Sequence, residues 1–96
     1  MDEKELLEYL SLLRARMEFA EKFYGFRMNY LPLYLGNDEI IVLDRRDGRI
    51  KRLSDKRPIE GEELRRLLPK IIENIRSGFV DTLLTMNFSY IHGPED

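Results

Sequence analysis

The 96-residue sequence predicts a single α+β domain, a largely antiparallel sheet packed by two helices. Three observations predict it. Residues 2–24 carry apolar side chains at alternating steps of three and four, the period of a helix. Between residues 26 and 53, short apolar runs are separated by glycine-containing turns. A second helical pattern covers residues 60–77, and the chain then alternates strictly from Leu84 to Tyr90. The predicted order is α-β-β-β-α-β, in one domain spanning residues 1–96, with 92–96 as a flexible tail.

The first helix starts at Asp2, an N-capping residue type, with Glu5 three positions on as in a capping box. Gly25 supplies the stop. Leu6, Leu10, Leu13, Met17, Ala20 and Tyr24 form one continuous stripe. A second runs beside it through Tyr9, Leu12, Phe19 and Phe23, interrupted by Arg16. At about 100° per residue the two stripes cover roughly 180° of the helix, wider than one small sheet usually buries. Either the helix lies deep in a groove of the sheet, or the second stripe meets another copy of the chain or a partner helix.

Three strands follow. Phe26, Met28 and Tyr30 alternate with Arg27 and Asn29, and the pattern continues raggedly to Leu35 across Pro32. Proline donates nothing to a ladder, so this strand lies at an edge or is interrupted there. Gly36-Asn37-Asp38 makes a turn. Glu39–Asp44 contains Ile40, Ile41, Val42 and Leu43, apolar on both faces, which suits a strand covered on both sides. The hairpin loop Arg45-Arg46-Asp47-Gly48 comes next, with Gly48 where a positive φ is wanted. The return strand, Arg49–Leu53, is polar enough to be an exposed edge.

In the second helix Leu64, Leu67, Leu68, Ile71, Ile72 and Ile75 give the apolar face. Glu60, Glu62 and Glu63 suit its N-terminal end and Gly78 ends it. Pro69 predicts a kink or the start of a second short helix. The final strand is read from Leu84, Met86, Phe88 and Tyr90.

Composition narrows the function. The chain is 43% apolar and 35% charged, with a formal net charge of −2, the balance of a folded protein and not of a general nucleic-acid binder. With no cysteine, thiolate nucleophiles, disulfides and Cys-ligated metals are excluded. The start, MDEKELLEYL, has neither the basic opening nor the unbroken apolar run of a secretory signal, and no run is long enough to span a membrane. A cytoplasmic protein is expected, and the Asn87-Phe88-Ser89 sequon is read as chance. His92 is the only histidine, and nothing orients it for metal binding or acid–base work. No glycine-rich phosphate loop or carboxylate-pair motif can be read, so neither enzyme nor cofactor is expected.

Two surfaces compete for a binding role. The first is the aromatic corner, Phe19, Phe23, Tyr24, Phe26, Tyr30 and Tyr34. With the second helical stripe it nominates Tyr9, Leu12, Phe19, Phe23, Tyr30 and Tyr34 for contact with a protein partner or a second copy. The second is the basic hairpin. From Asp44 to Arg57 there are seven basic and three acidic residues, and Arg45, Arg46, Arg49, Lys51, Arg52, Lys56 and Arg57 could hold phosphates. A charged strand edge has the same composition, however, and Asp44, Asp47 and Asp55 can neutralise neighbours.

The α-β-β-β-α order is similar to that of double-stranded-RNA-binding domains. In that family a lysine cluster at the start of the second helix holds the phosphates. Here Pro58-Ile59-Glu60-Gly61-Glu62-Glu63 stands at that place and would repel them. The likeness is one of element order, with the contact residues inverted. The expected function is therefore a small non-enzymatic binding protein (regulator, inhibitor, immunity protein or adaptor), homodimeric or docked on a partner. A nucleic-acid or anion binder using the hairpin is the alternative.

Overall fold

A computed structural model describes residues 2–25 and 27–86. Helix α1 (Glu3–Tyr24) forms where the capping box predicts it. The Asp2 carboxylate accepts from the Glu5 N–H at 2.8 Å, and the Glu5 side chain accepts in return from the Asp2 N–H. Gly25, at φ +75°, closes the helix by donating to the Glu21 carbonyl. Leu6, Leu10, Leu13, Met17 and Ala20 are buried, so the first stripe faces the core.

Strands β1 (Tyr30–Leu35), β2 (Ile40–Asp44) and β3 (Ile50–Arg52) form an antiparallel sheet in the order β1-β2-β3. Of the predicted two-sided run, Ile41, Val42 and Leu43 are buried in the central strand, while Ile40 at its start is exposed. Register sets Leu31 opposite Leu43 and Leu43 opposite Ile50, one row of buried side chains across the sheet. The next row, Pro32–Val42–Lys51, points to the other face. Proline does sit in an edge strand, and the register shifts between Pro32 and Tyr34.

Both outer strands receive hydrogen bonds from elsewhere in the chain. On β1, Asn74 donates its side-chain amide to the Leu33 carbonyl at 2.9 Å. On β3, the Ile59 N–H donates to Ile50 and the Arg52 N–H to Arg57, with Lys51 bridged to Pro58.

The first strand starts later than the alternation predicts. Met28 and Asn29 are buried but outside the ladder, and the Asn29 carbonyl instead accepts from the Arg45 N–H at 2.8 Å. Helix α2 (Gly61–Arg76) runs through Pro69 without dividing, which corrects the expectation of a second short helix there. Pro69 is on the exposed side, so the Arg65 carbonyl it leaves without an N–H faces solvent. Leu67, Ile71 and Ile75 are the buried positions of this helix.

The predicted final strand is overturned where it can be compared. Residues Phe79–Met86 form α3, so Leu84 and Met86 belong to a helix, and three helices, not two, pack the sheet. The alternation from Leu84 onward competed with a helical repeat through Phe79, Val80, Leu83 and Leu84. Val80 and Leu84, four apart, are both buried in the shared core. Ser77 helps start α3 by accepting from the Phe79 N–H. The remainder of that predicted strand, His92, the sequon at Asn87 and the 92–96 tail lie outside the described residues, as does Phe26.

Candidate functional site

The outer side of α1 is the first candidate. Helical periodicity that drives Leu13 and Met17 inward leaves Leu12, Phe19 and Phe23 at 63%, 51% and 61% exposure. The second stripe is thus not sunk in a groove of the sheet; only Tyr9 is half-buried, against the core. The rings of Phe19 and Phe23 pack together with centroids 4.3 Å apart, and the Lys22 ammonium lies 5.7 Å from the centre of Phe23. A shallow groove of about 430 Å³ is lined by Tyr9, Leu12, Leu13, Ala15, Arg16 and Phe19. Ala15 opens it, because a methyl group stands where its neighbours are large. Burial, then the nearby Asp81 carboxylate, raises the Tyr9 phenol above its ordinary pKa, against a smaller pull from Arg16.

Arg16, which interrupts the stripe in sequence, is drawn to Asp81 of α3 in an ion pair. Neither Ala15 nor that pair was singled out from sequence. A small residue between Leu12 and Phe19 was the available signal for the first; the second depends on α3, read there as a strand. Tyr30 and Tyr34 do not join this surface. Tyr30 lies under the Arg46 guanidinium and the Lys56 ammonium, each 5.1 Å from its ring centre, and accepts a hydrogen bond from Arg46. Tyr34 carries Lys70 of α2 at 5.3 Å. Phe19 with Phe23, Tyr30 and Tyr34 therefore lie in three separate places.

The basic hairpin is the second candidate, and its organising residue is Asp44. The carboxylate is only 1% exposed. It accepts from the Arg46 N–H at 2.9 Å, from Lys51 Nζ at 2.8 Å and from the Arg46 guanidinium. Burial alone would raise this carboxyl, but the hydrogen bonds from Lys51 and Arg46 outweigh it and hold it below the usual carboxylate range. Asp47 takes the other side of Lys51 at 2.7 Å.

Three of the remaining cations, Arg45, Arg52 and Arg57, also meet carboxylates. Arg45 pairs with Glu21 at 3.1 Å and donates to the Asn29 side chain, although its buried Nε has no partner. Arg52 is shared among Glu39, Asp55 and Glu63, and Arg57 also reaches Glu63. Lys56 donates to the Leu53 carbonyl. The Arg49 side chain enters no ion pair among the described residues, but its backbone N–H donates to Asp47. From α1, Arg14 donates to the carbonyls of Arg45 and Arg46 and fixes the loop to the helix.

Gly48 closes this loop at φ +73°, where a Cβ would also stand 2.9 Å from the Arg14 guanidinium. Gly48→Ala is therefore expected to cost about 1 kcal/mol or more, a melting temperature about 4–8 °C lower for a domain of this size. Calorimetry of the two proteins checks it; an unchanged melt would mean that the loop relaxes freely.

Among the described residues no helix is long and apolar enough to cross a membrane. No cluster of three His, Asp or Glu side chains there is placed to hold a metal ion. Compared with protein-family models, curated proteins and solved structures, the chain matches none.

Proposed function

We propose that the chain is a small non-enzymatic binding protein that acts through protein–protein contacts made by the outer face of α1. The observation that carries this is the row Leu12, Phe19 and Phe23, three large apolar side chains more than half exposed on one side of one helix. Single exposed hydrophobes are ordinary; a contiguous row beside a groove is what marks a contact surface. Phenylalanine and tyrosine, with few rotors to immobilise, are well suited to it.

The chemistry elsewhere agrees with this reading. The buried carboxylate of Asp44 is spent on Lys51 and Arg46 and staples a turn. The hairpin cations meet Asp44, Asp47, Glu21, Glu39, Asp55 and Glu63 within the chain, which reduces the net charge they offer to phosphate.

The test is the double variant Leu12→Glu/Phe19→Glu. Both side chains are on the surface, so each substitution should change stability by about 0.5 kcal/mol or less, and the variant should stay folded by circular dichroism. It should lose every complex the wild type forms, whether with itself by light scattering or with proteins recovered from expressing cells. Retained complexes, or an unfolded variant, would refute the assignment.

A further inference from the structure

Resting on that binding reading, we infer that the occupant of the α1 face is a second copy of the same chain, paired antiparallel about a two-fold axis beside Ala15. The argument is one of self-complementarity along the helix. On a rise of about 1.5 Å per residue, positions equidistant from the midpoint between residues 15 and 16 exchange places when a copy is turned end for end. Leu12 then meets Phe19 of the copy, and Phe19 meets Leu12. Tyr9 falls near Phe23. Ala15 lies at the crossing, where a small side chain permits close approach of two helix axes.

Charge selects the direction. Glu8 and Lys22, on one flank of the stripe, are equidistant from Ala15 and enter no ion pair among the described residues. The charges from Arg14 to Glu21 are used within the chain: Arg14 with Glu18, Glu21 with Arg27 and Arg45, Arg16 with Asp81. An antiparallel pair sets Glu8 against Lys22 twice. A parallel two-fold would carry these flanks to opposite sides of the contact, where neither charge meets its complement. Arg16 would approach its own copy near the axis, and the Asp81 carboxylate beside it offsets that repulsion. Such a contact is isologous, with the same patch on both sides, and it closes at two copies.

The chain has no cysteine, so cross-linking can read the register directly. Ala15→Cys, Glu8→Cys and Lys22→Cys are made separately in the full chain, checked for a wild-type melt, and oxidised. Ala15→Cys should cross-link to itself. Glu8→Cys and Lys22→Cys should each stay monomeric on a denaturing gel but cross-link to one another when mixed. Independently, Glu8→Lys should weaken the dimer about fivefold in sedimentation equilibrium, and Glu8→Lys/Lys22→Glu should restore it.

Self-cross-linking of Glu8→Cys would overturn the antiparallel arrangement. A monomeric wild type with no cross-link in any variant would overturn the second copy as occupant. If such a monomer still lost a cellular complex through Leu12→Glu/Phe19→Glu, the binding reading would stand and the self-pairing alone would fall. A chain ending at Met86 that dimerised where the full chain did not would place residues 87–96 on the face, and would equally refute the inference.

Discussion

Asp44→Ala is expected to destabilise the domain by about 3 kcal/mol, a large share of the roughly 5–15 kcal/mol that holds a small domain folded. The substitution removes the acceptor that joins Lys51 to Arg46 across the hairpin, and it strands the Arg46 N–H and a largely buried ammonium. The figure belongs at the low end for a broken buried pair, because the Arg46 guanidinium is half exposed and can be hydrated. Asp44→Asn keeps the shape and one acceptor, so it isolates the charge.

Its sign with pH follows from the lowered carboxyl. The unfolded chain titrates at about 3.9, and the folded carboxyl below that. The stabilisation is complete above the unfolded value and is lost as pH falls through the folded one. Urea unfolding between about pH 2 and 7 should therefore show a wild-type advantage over Asp44→Asn that is constant near neutrality and shrinks in acid. A gap that ignored pH would mean that the carboxylate charge contributes nothing.

Leu43→Ala should be as severe or worse, about 2–5 kcal/mol. Leu43 is fully buried in the middle strand, between Leu31 and Ile50, and the helices close over that row. Neighbours on both sides are held by backbone pairing, so the cavity cannot collapse readily. Denaturant titration should give a lower midpoint with an unchanged slope. A loss under about 1 kcal/mol would indicate that the row is not packed as described.

Local signals explain which elements were legible in the sequence. The capping box at Asp2 and Glu5, the glycines at 25 and 48 and the two-sided apolar run Ile41–Leu43 each state their structure within a few residues. Leu84 does not. Its neighbours satisfy two periods at once, and docking of Val80 and Leu84 into a core made by distant segments decides between them. Of the two outcomes offered at Pro69, the divided helix fails for a related reason, since the cost of a missing helical hydrogen bond depends on whether the freed carbonyl faces water.

The surfaces divide in the same way. The exposed stripe followed from counting angles around one helix. Tyr30 and Tyr34 were grouped with it by closeness in sequence, but strand register sends them to other neighbours. The partial neutralisation of the hairpin was hidden because Glu21, Glu39 and Glu63 arrive from elsewhere in the chain.

The sheet margins carry one more consequence. A short antiparallel sheet ordinarily invites further strands to add on, the route by which folded proteins seed fibrils. Here the segment from Arg57 to Ile59 lies along β3, while on β1 Asn74 takes the Leu33 carbonyl and Pro32 has no N–H to offer. Any strand added at either margin would first have to displace those contacts or forgo that bond.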